Sequence, residues 1–486
     1  MKELVIVGGG VAGLSAGIYA QLRGFHATVV EKHRVPGGNL TGWNRDGRHI
    51  DNCIHWLTGT NPVTENYEMW KTLGALGEVG VHRLPTLYTY RKHGKSLSLH
   101  RDLERLRKQM LALSPEDAEK TEQLIADIRA AIHFTGIGGE KNDRKSTQLE
   151  RLAALPVLKR YYGMTTGELA AQFHDPTIRG FLRSLLTERF GAVALLLVFA
   201  TFCSGDGDLP EGGSLAMAWR MADRFQSLGG SLRLGVGAKR VCLEHSLATA
   251  VELADGTVLP ADYVILSCDP EIAFGKLLDR SLIPDYLRKQ YEDLRLRRFS
   301  ACQCAFACRL KKLPFVGEQV FDLPPALRSK YGASYLLVRE FSHETGYSGR
   351  DGSLLQTMFF IDEDACIRLL HAAVDRAAYQ SMKTELSADM ERALAAEFPV
   401  LDGQLRCLDA WTPVSYRRYT GAAVGSFMGF AFGARVLPVL RSGRVPGVKN
   451  LLLASQWQQP PGGLPIAAKA GRAAIELIAK NKKRME

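Results

Sequence analysis

Three glycines and one carboxylate near the start of the chain have the types and the spacing that phosphate and sugar binding requires. Gly8, Gly10 and Gly13 follow the apolar run Leu4 to Val7, and Glu31 closes a second apolar run. Such glycines permit a tight turn, let backbone approach a pyrophosphate and allow a helix to press against a strand. A carboxylate about 20 residues further on accepts hydrogen bonds from a ribose diol and repels a 2′-phosphate. The pattern predicts a site for the ADP half of a dinucleotide.

A second glycine-rich stretch lies near the other end of the chain. Residues 451–474 read LLLASQWQQPPGGLPIAAKAGRAA, which is an apolar run, a Pro-Pro-Gly-Gly loop and a helical pattern. Gly462 and Gly463 let backbone come close to a flat ligand, and the helix start that follows can face that ligand. Because a long cofactor reaches across a fold, its two ends need two separated sequence elements. We therefore expect this stretch to contact the far end of the same ligand.

Three side chains are candidates for moving a proton during chemistry on a substrate. His55 follows a strand-like segment near the predicted ligand, and a structural histidine is the alternative interpretation. Tyr416 and Tyr419 precede the glycine-rich YTGAAVGSFMG, where a phenol either donates a proton or packs. No redox C-x-x-C is present in the sequence. The proton can also come from a positioned water.

The elements that position the first glycine cluster follow from the apolar pattern. Leu4 to Val7 and Ala27 to Val30 predict strands, and small and apolar residues recur between them at helical spacing through Leu22. Gly24 ends this helix. The result is a complete βαβ unit with the glycines at the helix start.

Further segments favour FAD over NAD. A Gly37-Gly38 pair follows the acid, and a turn at Asp46-Gly47 comes next, where a nicotinamide dehydrogenase would normally continue into another simple βαβ repeat. Residues 209–244 predict a helix that starts at Gly-Gly, stops at Gly229-Gly230 and leads into strands. A hairpin around Asp255-Gly256 follows.

These elements, in this order, resemble the superfamily of FAD-dependent amine oxidases and carotenoid desaturases. Within it the chain is similar to the branch of bacterial phytoene desaturases, carotenoid isomerases and retinol saturases, through ASQWQQPPGGLP, HIDNCIHWL and SYRRYTGAAVGSFMGF. The resemblance covers nearly the whole chain. It implies an α/β fold with a Rossmann-like FAD-binding domain of the glutathione reductase type, a second mixed α+β substrate domain, and FAD as cofactor.

The resemblance also implies a set of cofactor-binding residues. The backbone at Val241 would meet adenine, and residues 462–464 would lie beside the isoalloxazine and ribityl chain. The full set is Gly8, Gly10, Val11, Ala12, Gly13, Glu31, Lys32, Gly38, Asn39, Val241, Gln456, Gly462, Gly463 and Leu464. Two positions depart from amine oxidases, because Asn39 replaces the usual arginine and Gln456 replaces the usual acid. Asn39 weakens an amine-oxidase interpretation, and Gln456 agrees with the desaturase and saturase branch.

The chain is long enough for two domains. Residues 1–85, 208–280 and 440–486 are predicted to form the cofactor domain, and residues 86–207 and 281–439 the substrate domain. The substrate domain is expected to start with a hairpin at His93-Gly94, and residues 138–147 to form a surface loop. The run AVALLLVFATF, residues 192–202, predicts a buried helix or the lining of an apolar cavity.

The predicted function is that of an oxidoreductase. The apolar insert indicates a long polyene, isoprenoid or lipid-like substrate, and the enzyme would add or remove hydrogen across its carbon–carbon bonds by hydride transfer at flavin N5. The alternatives are a reduced-flavin double-bond isomerase, an amine oxidase-like enzyme and an FAD-containing binding protein. No second dinucleotide fingerprint is visible in the sequence, so electrons are expected to pass to or from oxygen, a quinone or a separate carrier.

Charge and cysteine content limit the partners and the location. The net charge is +11, but the basic residues are mixed with 51 acids and no nucleic-acid motif is visible, so no nucleic-acid partner is expected. The helix-like segment Asp285 to Phe299 and the tail KNKKRME offer peripheral contact with anionic lipid. Nine cysteines and a strand directly after Met1 predict a cytoplasmic protein, with the inner face of the membrane as the second location. Cys302, Cys304 and Cys308 are predicted as packed core thiols, without a metal.

Overall fold

A computed structural model describes residues 2–135, 155–344, 346–347, 352–436 and 439–485. The predicted loop at 138–147 therefore lies outside the described residues. The strands are β1 Glu3–Val7, β2 His26–Glu31, β3 Gly42–Arg45, β4 Arg48–Asp51, β5 Val81–His82, β6 Thr86–Lys92, β7 Lys95–His100, β8 Leu209–Pro210, β9 Ser231–Leu234, β10 Ala238–Glu244, β11 Leu247–Leu253, β12 Val258–Pro260, β13 Tyr263–Leu266, β14 Phe299–Cys308, β15 Glu318–Asp322, β16 Tyr335–Glu340, β17 Ser353–Asp362, β18 Leu405–Trp411 and β19 Leu451–Leu453.

The helices lie between and after these strands. They are α1 Val11–Leu22, α2 Glu65–Thr72, α3 Leu103–Leu113, α4 Ala118–Ala131, α5 (described over 155–162), α6 Thr166–Ala170, α7 Pro176–Ser184, α8 Ala192–Cys203, α9 Gly213–Ser227, α10 Pro270–Ile272, α11 Asp285–Glu292, α12 Pro325–Tyr331, α13 Glu363–Ala372, α14 Arg376–Glu397, α15 Pro413–Thr420 and α16 Leu464–Met485. Among the described residues, no helix combines the length and the hydropathy that crossing a bilayer would need.

A five-stranded parallel sheet forms the first layer. Its order is β19-β13-β1-β2-β9, and every neighbouring pair is parallel. Alternate residues of β1 serve two cores: Leu4 and Ile6 pack with α1, α9 and α16, whereas Val5 and Val7 pack with the antiparallel sheet β10-β11-β12. Because both faces are covered, the strands are nearly continuous apolar runs. The predicted α/β fold is confirmed.

A seven-stranded sheet forms the second layer, in the order β18-β14-β17-β16-β15-β6-β7. All its pairs are antiparallel except β15 with β6. Phe299, Leu337 and Met358 on one face join a core with α3, α4, α7 and α8, whereas Phe306 and Phe359 on the other pack with α14. Its strands come from residues 86–100 and 299–411, and those of the parallel sheet from 3–31, 231–266 and 451–453. The domain boundaries themselves stay a prediction.

The local turns agree with the sequence. The turn at Asp46-Gly47 and the hairpin at His93-Gly94 are confirmed, and all four residues have positive φ angles, between 49° and 77°. The hairpin at Asp255-Gly256 joins β11 to β12. The predicted buried helix at 192–202 is α8, which also lines a cavity described below.

The predicted helix from Asp285 to Phe299 is too long. α11 ends at Glu292, and the Asp293 carboxylate accepts a hydrogen bond from the Arg295 backbone N–H, which starts a separate 3-10 turn over 294–296. Phe299 is then the first residue of β14. An aspartate side chain that hydrogen-bonds to a nearby backbone N–H competes with the helical hydrogen bonds, and the helix can end there.

Candidate active site

The amino-terminal glycines form a turn that only glycine can make. Gly8 has a φ of 110° and donates from its N–H to the Val30 carbonyl at 2.8 Å. A Cβ atom on Gly13 would overlap the Gly8 carbonyl oxygen. α1 begins directly after Gly10, and no side chain caps its first turn or places an acid there. The first N–H groups of α1 are therefore arranged to receive an anion.

The Glu31 carboxylate is fixed at the end of β2. Its Oε2 accepts from the Gly9 N–H at 2.8 Å and its Oε1 accepts from the His33 N–H at 2.9 Å. The side chain is buried beside the glycine turn. Each carboxylate oxygen can accept a further hydrogen bond, so the group remains able to receive a diol. Burial lowers the pKa of the neighbouring Lys32.

The Gly37-Gly38 pair forms the opposite wall of this turn. The Gly37 N–H donates to the Gly9 carbonyl at 2.8 Å, and a Cβ on Gly38 would lie 3.4 Å from the Gly10 Cα. Two backbone segments without side chains thus pack directly against each other, and Gly10, Gly37 and Gly38 line the cavity beside them.

The carboxyl-terminal loop meets the amino-terminal segment at one carbonyl group. Asn39 Nδ2 donates to the Phe427 carbonyl at 3.0 Å, and Gln456 Nε2 donates to the same oxygen at 3.4 Å. Gln456 Oε1 in turn accepts from the Gly463 N–H at 3.0 Å. The Asn39 segment and the 459–463 loop are therefore held together from opposite ends of the sequence.

One cavity of about 1040 Å³ connects these parts. Its polar part is formed by the glycine turn, Glu31 and the carboxyl-terminal loop. Its second part, which we call the apolar chamber, is lined by Phe190, Leu197, Leu337, Met358, Phe360 and Phe427. A volume at the upper end of the usual range for ligand cavities suits two ligands lying end to end.

Most of the predicted site residues lie in the wall of this cavity. They are Gly8, Gly10, Val11, Ala12, Glu31, Lys32, Gly38, Asn39, His55, Tyr419, Gln456, Gly462, Gly463 and Leu464. Gly13 lies behind the wall, where its missing Cβ lets α1 pack on Gly8. Val241 is buried in the core under β10, and Gly237 and Ala238 are the residues of that region that line the cavity.

Tyr416 is not among the cavity-lining residues. Its buried hydroxyl accepts from Gln303 Nε2 at 2.6 Å and from Trp411 Nε1 at 3.3 Å. Burial raises its pKa, and those two hydrogen bonds offset only part of the rise. The packing alternative describes this phenol better than proton donation does.

Tyr419 lines the cavity next to the segment that carries Glu31. Its ring stacks on His33 with 4.1 Å between the centroids, and its carbonyl is hydrogen-bonded to the His33 ring. Its hydroxyl is 3.4 Å from Thr41 Oγ1, and burial raises the pKa of the phenol. These contacts place Tyr419 beside the segment that carries Glu31.

His55 lines the cavity with a partner that sequence reasoning missed. Its Nδ1 is 2.6 Å from Oε2 of Glu318, the first residue of β15, and Glu318 also lines the cavity. The two residues are 263 positions apart, and only the pairing of β15 into the seven-stranded sheet brings them together.

Asp269 is a second acid that the sequence did not reveal. It lies two residues after Ser267, whose backbone N–H donates to the Val7 carbonyl beside the glycine turn, and both residues line the cavity. Burial raises the pKa of Asp269 to about 7, although a hydrogen bond from the Glu271 N–H acts in the opposite direction. A carboxyl that is partly protonated near neutral pH repels phosphate less than a carboxylate does.

The residues present fit a dinucleotide that carries a flat ring. Five cavity-lining side chains have buried polar atoms without a hydrogen-bond partner in the described part of the chain, namely Asn39 Oδ1, His55 Nε2, Ser267 Oγ, Glu318 Oε1 and Ser426 Oγ. Ser267 lies at the glycine turn, and Asn39 at the junction with the carboxyl-terminal loop. Orphaned polar atoms at both ends indicate that a long polar ligand completes the site. Within the described ranges, no cluster of His, Cys, Asp and Glu could hold a metal ion.

Comparisons with known proteins agree with this geometry. Residues 11–478 match the model of the family described as flavin containing amine oxidoreductase. Hydroxyneurosporene desaturase of Rubrivivax gelatinosus is 22% identical, with 98% of this chain and 93% of that protein aligned. Neurosporene-forming phytoene desaturase of Cereibacter sphaeroides is 25% identical, but the alignment covers 56% of this chain and only 54% of that relative. Chloroplastic prolycopene isomerase of Arabidopsis thaliana is 20% identical, over 88% of this chain and 74% of that protein.

Solved structures show the same fold. A crystal structure of an oxidoreductase from Methanosarcina mazei superposes with a TM-score of 0.61 at 14% identity, covering 98% of this chain and 99% of that one. Similarity at this level of identity supports the architecture derived above from the two sheets.

Proposed function

Because this chain belongs to the flavin-containing amine oxidoreductase family, its cofactor is FAD, and we propose that it adds or removes hydrogen across carbon–carbon bonds of a long apolar substrate. The observation that carries this proposal is the single cavity in which the glycine turn and the apolar chamber are continuous. A ligand in the chamber and a flavin in the polar part would share one water-poor space.

The proposed cofactor contacts follow from the geometry. The N-terminus of α1 would face the pyrophosphate, Glu31 the ribose, and the 462–464 backbone the ring system. When bound, FAD supplies two-electron hydride chemistry, and the protein contributes orientation and electrostatics. Asn39 and Gln456 would hold the ring end, and the hydrogen bonds that both make to the Phe427 carbonyl support this role.

The chamber wall supports an apolar substrate. Aromatic and aliphatic side chains exclude water and can hold an extended hydrocarbon by burial of its surface. The names of the two desaturase relatives support a polyene as the substrate. The apolar chamber offers the hydrocarbon-lined surface that such a molecule needs. The isomerase relative makes double-bond isomerisation the second candidate.

The partners of the reaction are part of the same proposal. Electrons would pass to or from oxygen, a quinone or a carrier outside the chain. We also propose a cytoplasmic location with peripheral contact at the inner face of a membrane. The segment from Asp285 to Phe299 includes α11 and carries several basic residues, and Leu294 is exposed between Asp293 and Arg295. Basic and exposed apolar side chains together support that contact.

Incubation with phytoene and zeta-carotene, followed by mass spectrometry of the product, tests the reaction class. A product with two hydrogens fewer or more is expected, and an unchanged mass with an altered double-bond geometry would select the isomerase instead. FAD-loaded protein that converts neither probe, by redox change or by isomerisation, would contradict the proposal.

A variant of the chamber tests the site. Ala194 in α8 lines the chamber, so Ala194→Trp should fill part of it and lower polyene conversion at least about tenfold while FAD still binds. Ala378→Trp, on the exposed face of α14, is the matched control. Equal conversion by both variants would show that the substrate does not occupy the chamber.

A further inference from the structure

We propose that His55 and Glu318 form a proton-transfer pair in the cavity wall, in which His55 is the catalytic residue and Glu318 is the positioning residue. The inference rests on the proposed function and adds a proton route to it. His55 Nδ1 and Glu318 Oε2 are 2.6 Å apart, and the side chains are 13% and 8% exposed.

Each member of the pair has one polar atom without a partner. His55 Nε2 and Glu318 Oε1 are both buried and have no hydrogen-bond partner among the residues that the structure describes. An unpaired buried polar atom is destabilising, so its presence in a cavity wall calls for a reason. A ligand that approaches His55 Nε2 would supply the missing hydrogen-bond partner.

The pair lies where the chamber wall changes from apolar to polar. Glu318 is paired across β15 and β16 with Arg339, while Leu337, two residues earlier on the same face of β16, lines the apolar chamber. Met358 of β17 lies opposite Leu337 and also lines the chamber. A substrate lying along this face would therefore reach from hydrocarbon-lined wall to the histidine.

The segment that carries His55 is held by the same sheet face. Arg339 Nη1 donates to the Ile54 carbonyl at 2.6 Å, and Arg339 Nη2 donates to the Asp51 carbonyl at 3.0 Å. Gln356 Nε2 donates to the Asp51 carbonyl at 2.8 Å. The backbone before His55 is thus fixed, and Glu318 fixes the ring, which is the arrangement that proton transfer at a defined atom requires.

The carboxylate determines which ring nitrogen reacts. An ionised carboxylate only accepts hydrogen bonds, so Nδ1 carries the proton and Nε2 presents its lone pair. In dehydrogenation, bound FAD would supply the acceptor for the hydrogen and the electron pair of one substrate C–H bond. The neighbouring C–H bond breaks, its electron pair becomes the new π bond, and its proton goes to Nε2. In saturation, bound reduced FAD would supply the hydride equivalent to one alkene carbon, the π electron pair would form the new C–H bond at the other carbon, and Nε2 would give the proton for that bond. Glu318 balances the charge of the imidazolium in both directions.

The first test is the rate of product formation from phytoene by FAD-loaded His55→Gln. General acid–base catalysis contributes about 10²- to 10⁴-fold, so a loss of about 100-fold is expected, with unchanged FAD affinity and unfolding midpoint. His371→Gln is the control and should keep the wild-type rate, because His371 is exposed in the last turn of α13. A His55→Gln rate within twofold of wild type would overturn the proposal. Should that variant not fold, His55→Asn replaces it with the same criterion.

The second test reads the tautomer and does not depend on turnover. Two-bond ¹H–¹⁵N spectra of histidine-labelled, FAD-loaded protein should show His55 with a protonated Nδ1 and an unprotonated Nε2, and the signal is identified by its loss in His55→Gln. Glu318→Gln should release this tautomer preference, because an amide can donate as well as accept. An Nε2–H tautomer in wild type, or an unchanged signal in Glu318→Gln, would overturn the pairing.

The two tests separate the two proposals. If wild-type protein converts no polyene, the proposed function fails, while the spectra still decide whether Glu318 sets the tautomer of His55. If conversion is robust and His55→Gln is fully active, only the proton-transfer inference fails.

Discussion

A single methyl group at the contact between α1 and α16 should destabilise the protein and weaken FAD binding together. A Cβ on Gly471 would overlap the Ala12 carbonyl oxygen and lie 2.8 Å from Ala16 N and 2.9 Å from Ser15 Cβ. Two of these three atoms belong to the backbone of α1, so no side-chain rotation can relieve the contact. The helices must separate instead, which also stretches the 2.7 Å hydrogen bond from Ser15 Oγ to the Ala468 carbonyl.

The magnitude follows from three contributions. Overpacking costs about 1–3 kcal/mol, the weakened hydrogen bond costs about 1 kcal/mol, and the better helix propensity of alanine returns about 1 kcal/mol. Gly471→Ala should therefore lower the free energy of unfolding by about 1–3 kcal/mol. Because Ala12 lies in the first turn of α1 and lines the cofactor end of the cavity, FAD affinity should fall as well.

Urea unfolding of the FAD-free protein measures the first effect, and flavin fluorescence titration measures the second. Gly275→Ala is the matched control, because its Cβ would meet only Arg280 Nε, at 4.0 Å. A Gly471→Ala variant as stable as this control, with wild-type FAD affinity, would refute the packing argument.

Two further predictions concern the buried carboxylates. Glu31→Ala leaves the N–H groups of Gly9 and His33 without their acceptor and removes the ribose contact, so FAD affinity should fall about 10- to 100-fold in a fluorescence titration, and unchanged affinity would contradict the assigned role. Asp51 is buried, which alone would raise its pKa, but Arg339 and hydrogen bonds from Ser214 outweigh burial and hold the pKa below its usual value. Because its pKa is lowered on folding, the Asp51 carboxylate stabilises the folded protein at pH values above the ordinary aspartate pKa. This contribution is lost as the pH falls through the folded-state pKa. Urea unfolding between about pH 7 and pH 3 should show a shallower loss of stability for Asp51→Asn than for wild type, and parallel curves would argue against it.

Local patterns allowed much of the cofactor site to be predicted from the sequence. Gly8, Gly13 and Glu31 lie within one βαβ unit, and their contacts depend on residues close to them in the chain. The Asp46-Gly47 and His93-Gly94 turns are equally local, since positive φ angles at both positions suit these residue types.

Long-range contacts explain what sequence reasoning missed. Glu318 begins an ordinary strand, EQVFD, and nothing in that segment indicates that β15 would deliver its carboxylate to His55. Tyr416 and Tyr419 are three residues apart on α15, and packing of that short helix decides that only Tyr419 reaches the cavity. Such outcomes depend on sheet order and helix placement, which a local pattern does not contain.

The Asp51 carboxylate explains why the two layers form one site. Its Oδ2 accepts from the Ser214 N–H at 2.7 Å and its Oδ1 from Ser214 Oγ at 2.6 Å, at the start of α9, which packs on the parallel sheet. A Cβ on Gly213 would lie 2.5 Å from Asp51 Oδ2, so glycine is needed for this approach. The Asp51 carbonyl meanwhile accepts from Arg339 and Gln356 of the seven-stranded sheet. Asp51 thus contacts α9 through its carboxylate and the seven-stranded sheet through its carbonyl, and its carboxylate also accepts from the Tyr347 hydroxyl at 3.0 Å. Because Asp51 lies four positions before His55, the spacing between the proposed flavin site and the proposed proton-transfer group depends on both layers being folded.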